Sequence, residues 1–252
     1  MNFDHTFLGL LLTALAYLVG SVVFVRYSLS KGFKLREASW ILFAGLFAGI
    51  MGAKLSRLLL AAASGASPEA LLAHPDGRSI VGGILLGWVG VEFAKDRLKI
   101  KRSTGDGFAL ALAAGEAIGR IGCYFNECCM GVVCSTSLPF AVYQAGAWRH
   151  PAQFYSAFIS LAIFFLLVLI RKKVRYEGDL FRVYLLCFGI GRFVLEFFRV
   201  RSELYFGLSV AQWVSLEIAA SMLIAIFWIY RKSNSDHSES SCAEEALTNE
   251  SM

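Results

Sequence analysis

The sequence predicts an all-α polytopic membrane protein of about seven transmembrane helices, with the amino terminus outside and the carboxyl terminus in the cytoplasm. Three observations predict it. Of the 252 residues, 57% are hydrophobic and only 17% charged, with a mean hydropathy of +0.59, against about 25% charged residues in soluble domains. The apolar residues gather in runs near the roughly 20 residues that cross a hydrocarbon layer. The basic residues collect in alternate loops between those runs. A formal net charge of +5 spread in this way is not a nucleic-acid footprint, so no nucleic-acid partner is expected.

Residues 7–25 form the first run. No basic residue precedes it, basic residues follow it, and no A-x-A cleavage site comes after, so it reads as an uncleaved first helix. The second run is 40–60 and the third, short and glycine-rich, is 79–93. Residues 105–125 are the fourth, 153–170 the fifth, 180–198 the sixth and 208–230 the seventh. Arg26, Lys31, Lys34 and Arg36 follow the first run; Lys95, Arg97, Lys99, Lys101 and Arg102 follow the third. Arg171, Lys172, Lys173 and Arg175 follow the fifth, and Arg231 and Lys232 the seventh. The opposite loops hold Arg78, Arg149, Arg199 and Arg201. Cytoplasmic loops carry the excess of Lys and Arg, which sets the orientation. Residues 1–232 therefore make one membrane domain. Residues 233–252, polar and acidic without apolar periodicity, read as a disordered cytoplasmic tail.

Polar residues within or beside the spans carry the function. Gly49-x-x-Gly52-Ala53-Lys54 with Arg57 suits close helix packing; Lys54 and Arg57 either snorkel outward or line an anionic cavity. Gly77 to Gly83 reads either as a turn before a packed helix or as a loop entering the membrane to line a cavity. His150-Pro151-Ala152-Gln153-Phe154-Tyr155 places three hydrogen-bonding side chains at the outer mouth of the fifth span, with proline suited to a helix's first turn.

Arg192, Glu196 and Arg199 share one helix face by their i,i+4 and i,i+3 spacing. They read either as an internal salt bridge or, with Arg120, as a phosphate-binding cluster. An arginine at mid-bilayer costs about 2.5–3.5 kcal/mol, and guanidinium forks match phosphate oxygens in pairs.

The longest polar stretch closes the fourth span: Gly119-Arg120-Ile121-Gly122-Cys123-Tyr124-Phe125-Asn126-Glu127-Cys128-Cys129-Met130-Gly131. It combines a guanidinium, glycines, an amide, a carboxylate and three thiols, a site for something anionic reached from the membrane. Cys123, Cys128, Cys129 and Cys134 match no zinc spacing; they read as small packing residues, or as a redox pair or ligands.

The run Gly-Arg-Ile-Gly-Cys-x-x-Asn-x-Cys-Cys-x-Gly, the His-Pro-x-Gln-x-Tyr segment and Arg-x-x-x-Glu-Phe-x-Arg occur in that order. Together they resemble the bacterial prolipoprotein diacylglyceryl transferases, over about residues 40–230. The resemblance implies a multi-pass inner-membrane enzyme that moves the diacylglyceryl group of phosphatidylglycerol onto the lipobox cysteine of a preprolipoprotein signal peptide, releasing glycerol phosphate. It implies Arg120, Arg192, Glu196 and His150 as catalytic residues. Asn126, Gly131, Gln153, Tyr155, Arg199, Gly82 and Gly83 are the substrate-binding candidates. No metal and no organic cofactor is implied. The chain departs from the family at Val81-Gly82-Gly83, where relatives usually have His-Gly-Gly, at Glu127 and at Ser156. With Val81 there, His150 is the remaining base candidate at the outer face. Arg120 and Arg192 are assigned to the phosphate, Glu196 to holding Arg192, and Arg199 to longer-range charge support. The competing readings are a transporter or lipid-headgroup-binding membrane protein, and a paralogue serving another acceptor.

Overall fold

A computed structural model of the chain describes residues 3–63, 80–136, 138–200 and 204–250. Seven helices occur among the described residues: α1 (Phe3–Ser30), α2 (Leu35–Ala63), α3 (Ile80–Arg97), α4 (Gly105–Phe125), α5 (Ala152–Ile170), α6 (Asp179–Leu195) and α7 (Val210–Glu250). Each expected apolar run falls on one of them to within a few residues. Five stretches, on α1, α2, α4, α5 and α7, are long and apolar enough to cross a membrane. The other two helices fall short for visible reasons. The end of α3 carries Glu92, Lys95, Asp96 and Arg97, and α6 has 17 residues that include Asp179, Arg182 and Arg192.

Large apolar side chains face outward, Phe158 at 73% and Leu169 at 74% exposure among them. Apolar surface on that scale needs a covering, and lipid supplies one. The backbone of α7 runs on to Glu250. A helix already nucleated extends without the cost of a first turn, and Ala243-Glu244-Glu245-Ala246-Leu247 are strong helix formers.

The loops are not all irregular, although the fold is otherwise helical, as the all-α expectation has it. β1 (Val142–Gln144) pairs antiparallel with β2 (Ala147–Arg149), and β3 (Leu204–Tyr205) with β4 (Leu208–Ser209). Ala145 and Gly146 turn the first hairpin and Phe206 and Gly207 the second, all four at positive φ. Two central residues with positive φ match the twist of paired strands.

Contacts divide the chain into two compact units, Met1–Gly20 with Phe108–Met252, and Ser21–Gly107. In the second unit α2 and α3 meet through glycine. A Cβ on Gly52 would overlap the Gly82 carbonyl, and one on Gly49 would lie 3.3 Å from the Gly83 carbonyl oxygen. The close-packing expectation for Gly49 and Gly52 thus extends to Gly82 and Gly83, which lie on regular helix rather than on an entering loop. Their expected contact with substrate is not needed to explain them. Residues 77–79, including Arg78, lie outside the described residues, as does Arg201. Val81 is on the first turn of α3, and Lys54 is exposed on α2.

In the first unit small residues join α1 to α4. A Cβ on Gly115 would come 3.1 Å from the Ala16 carbonyl oxygen, and one on Gly20 the same distance from that of Ala111. The α6–α7 pair is fixed at one end by Asp179. Its carboxylate accepts hydrogen bonds from Arg182 at 2.7 Å and from the Tyr230 hydroxyl at 3.0 Å. The other end carries the candidate site.

Candidate functional site

The site begins where α4 stops. The Asn126 amide still donates to the Gly122 carbonyl at 3.0 Å, as a helical residue would, but Glu127 turns to φ +50 and Cys129 to φ +59. Non-glycine residues rarely hold that conformation. The result is a hook: the Cys128 amide donates to the Cys123 carbonyl at 3.0 Å, and the chain doubles back on the end of its own helix. The Asn126 side chain lies against Gly9 of α1.

Two amides buried among polar partners pin the hook. Gln153, on the first turn of α5, donates to the Cys128 carbonyl at 2.9 Å and to the Gln144 side chain at 3.2 Å. Gln144, on β1, donates to the Tyr124 carbonyl at 3.0 Å. Gln153 is 1% exposed, so its observed work is to position the loop. Arg149, on β2, donates to the Gly131 carbonyl at 3.2 Å and to the Gln144 carbonyl at 3.1 Å.

After the hook, residues 130–134 run as a short strand between two others. The Val132 amide donates to the Phe198 carbonyl at 3.0 Å, and Gly131 bridges to Arg199. On the opposite side the His150 amide donates to the Val132 carbonyl at 3.0 Å, and the Cys134 amide to the Trp148 carbonyl at 2.9 Å. Gly131 is required at this crossing, since a Cβ there would overlap the His150 carbonyl oxygen and sit 3.0 Å from the His150 Cβ. The three segments singled out by sequence therefore meet here through backbone pairing.

His150 lies in an aromatic setting, its ring centroid 5.4 Å from that of Phe198 and 6.3 Å from that of Tyr155. Its Nδ1 is buried with no hydrogen-bond partner among the described residues. A buried nitrogen in that state is costly unless a substrate group or water reaches it. Ser156 is buried one residue beyond Tyr155.

Each of the two central arginines has a carboxylate one turn away. Arg192 approaches Glu196 at 2.5 Å, the pair that the i,i+4 spacing predicts, and Arg120 approaches Glu116 at 2.6 Å. Glu116 is absent from the candidates drawn from sequence, although it sits at the same spacing. Glu196 also accepts a hydrogen bond from the Ser209 hydroxyl at 3.1 Å. Ser209 and Gln212 cap α7 reciprocally: the Ser209 amide donates to the Gln212 side chain at 3.0 Å, and the Gln212 amide to the Ser209 hydroxyl at 3.3 Å. This is the Ser-x-x-Gln box that protects a helix start, legible in the sequence and unused there.

Arg199 corrects an expectation. It does not share a helix face with Arg192 and Glu196, because α6 ends at Leu195, a 3-10 turn covers Glu196–Phe198, and Arg199 is extended at φ −104 and ψ 154. Pairing with Gly131 draws it out of the helix. Its charge still acts locally, since Arg199 and Arg120 both interact electrostatically with Arg192 and with Cys129. Tyr184, buried on α6, interacts in the same way with Glu116 and Arg120. Against Glu116 and Glu196, three guanidiniums leave one positive charge in excess, enough to hold an anion and less than the sequence alone suggests.

The thiols gather at the same place. The sulfurs of Cys123, Cys128 and Cys129 all lie within 4.8 Å of one another, each half-buried. Hydrogen bonds from the Cys123 and Cys128 thiols, then the Arg199 and Arg120 charges, push the Cys129 thiol down from its ordinary range. Cys128, hydrogen-bonded to Cys123 and Cys129, is pushed up.

A family model described as prolipoprotein diacylglyceryl transferase matches residues 7–228. Relatives named phosphatidylglycerol–prolipoprotein diacylglyceryl transferase include one from Cupriavidus metallidurans, 30% identical over 250 residues covering 87% of this chain and 89% of that one. Another, from Thermotoga maritima, is 30% identical over 220 residues, 81% of this chain and 74% of its own. The Aliarcobacter butzleri relative is 33% identical over 128 residues, 49% of this chain, and the match spans only about half, 46%, of its length.

Proposed function

The chain belongs to the prolipoprotein diacylglyceryl transferase family, and from that premise we propose that it moves the diacylglyceryl group of phosphatidylglycerol to the lipobox cysteine of a preprolipoprotein. The observation that carries the reading is the convergence of Arg120, Arg192 and Arg199, two of them each backed by a carboxylate, beside His150. A lipid-binding protein needs an anion site, but it has no use for an unpaired buried imidazole nitrogen next to one.

In the reaction the acceptor thiol gives up its proton and the thiolate attacks the glyceryl carbon. The sulfur–carbon bond forms, the carbon–oxygen bond to phosphate breaks, and the electron pair leaves with glycerol phosphate. Negative charge grows on the departing phosphate, and preorganised guanidiniums in a water-poor site stabilise it. Arg120 and Arg192 hold the phosphate, Glu116 and Glu196 fix their forks, and Arg199 adds charge at longer range. His150 accepts the thiol proton at its open Nδ1, and Tyr155 and Phe198 orient its ring. Asn126, at the hook, meets the headgroup in this proposal. Gly131 and Gln153 act through the backbone they position, and Gly82 and Gly83 through helix packing.

All seven helices span the bacterial inner membrane in this proposal, α3 and α6 included, with the amino terminus outside and residues 233–252 in the cytoplasm. The bias of basic residues supports that orientation. The test is complementation of a transferase-depleted bacterium, read by lipoprotein mass. Restored diacylglyceryl modification supports the proposal, and unmodified precursors in cells that insert the protein would refute it.

A further inference from the structure

Cys123, Cys128 and Cys129 lie at a spacing that suggests no metal site, yet the hook after α4 brings their sulfurs within 4.8 Å of one another. The group holds neither an imidazole nor a carboxylate among the described residues. Zinc bound tetrahedrally by thiolates has Zn–S bonds of about 2.3 Å, which sets sulfurs about 3.8 Å apart. Thiol rotations and shifts of on the order of 1 Å close the difference. The backbone is built to hold this arrangement: Glu127 and Cys129 stay in the left-handed region, the Cys128 amide is bound to the Cys123 carbonyl, and Gln153 holds the Cys128 carbonyl. Three small packing residues would require none of these features.

We propose that Cys123, Cys128 and Cys129 bind a thiolate-preferring divalent cation, zinc by its chemistry, and that the open fourth position takes the thiol to be alkylated. Three protein ligands with one open position is the pattern of a zinc that acts on a substrate rather than one that only braces a fold.

This inference rests on the proposed transfer reaction and names how its nucleophile is made. Coordination deprotonates a thiol outright. The acceptor thiol releases its proton to His150 on binding the metal. The metal-bound sulfur then forms its bond to the glyceryl carbon as the carbon–oxygen bond breaks toward phosphate. The thioether product is a poor ligand and leaves, so neither oxidant nor reductant is consumed.

Cobalt substitution in the full-length, detergent-purified and reduced protein tests the proposal. One equivalent of Co2+ should give thiolate-to-cobalt charge transfer and the intense visible bands of a tetrahedral site, and Zn2+ should remove them. Cys123→Ser, Cys128→Ser and Cys129→Ser should each weaken zinc binding by more than the 10–100-fold typical of losing an outer-shell partner, whereas Cys187→Ser should not. A lipobox peptide should shift the cobalt bands, and the same peptide with serine for cysteine should leave them alone. Should a serine variant fail to fold, zinc protection of the three native thiols from alkylation, located by mass spectrometry, replaces it.

No thiolate–cobalt band, an octahedral spectrum, or thiols that zinc leaves unprotected would overturn the site. Bands indifferent to the peptide would overturn the role of the fourth position, as would glycerol phosphate release at full rate by metal-free protein. An intact cobalt site that responds to peptide without any glycerol phosphate release would remove the transferase reading and leave the site standing.

Discussion

Replacing Gly131 with alanine tests whether the three sequence segments act as one site. The added Cβ would overlap the His150 carbonyl oxygen and lie 2.9 Å from its carbon and 3.0 Å from its Cβ. None of these atoms can swing aside. The His150 amide is bonded to Val132 at 3.0 Å, and its carbonyl accepts from Ala152 at 2.8 Å. Relief therefore requires the strand at 130–134 and the His150 backbone to part by on the order of 1 Å, the gap between the overlap and an ordinary van der Waals separation. Overpacking of this kind costs about 1–3 kcal/mol. The displacement reaches His150 directly and Arg199 through its bridge to Gly131. A misplacement near 1 Å can cost about 10²-fold in rate, so transfer by Gly131→Ala should fall by roughly that factor while the protein still inserts. Thermal unfolding in detergent and a lipobox-peptide assay read the two effects. Wild-type rate together with wild-type stability would refute the claim that the crossing sets the geometry of the site.

Other outcomes follow from the same geometry. Arg120→Ala and Arg192→Ala should each abolish nearly all transfer without preventing insertion, and lysine should rescue poorly because a point charge cannot reproduce the fork's paired bonds; normal activity in either alanine variant removes the phosphate assignment. His150→Gln should lower transfer by about 10²–10⁴-fold; an unchanged rate would leave His150 as a packing residue. Reporters fused after Lys173 and after Lys232 should read cytoplasm and one within residues 134–148 should read outside, whereas a cytoplasmic signal from the middle fusion overturns the topology.

The apolar runs were legible because lipid demands length and low charge, and those are properties of composition. The Arg192–Glu196 pair was legible because i,i+4 spacing on a helix fixes it. Arg120–Glu116 and the Ser209–Gln212 cap carry signals equally local, and they show that reading from conspicuous arginines passes over their partners. The hairpin turns at Ala145-Gly146 and Phe206-Gly207 were likewise readable as short strands around a glycine. What local pattern cannot carry is the crossing of residues 130–134 with 148–150 and 198–200, since that pairing is long-range. The same crossing pulls Arg199 off the helix that its spacing suggests. The thiol group was hidden for a related reason: Glu127 and Cys129 must both adopt a conformation that their residue types disfavour before Cys123, Cys128 and Cys129 can meet.

The central claim is that the arginine site breaks a glycerol–phosphate bond rather than only holding a headgroup. The direct measurement gives the purified protein headgroup-labelled phosphatidylglycerol in bilayers together with a lipobox peptide, and follows both products. The account predicts one glycerol phosphate released for each peptide thioether formed, with no release when serine replaces the peptide's cysteine. Lipid that is bound or moved while peptide and headgroup both remain intact would contradict it.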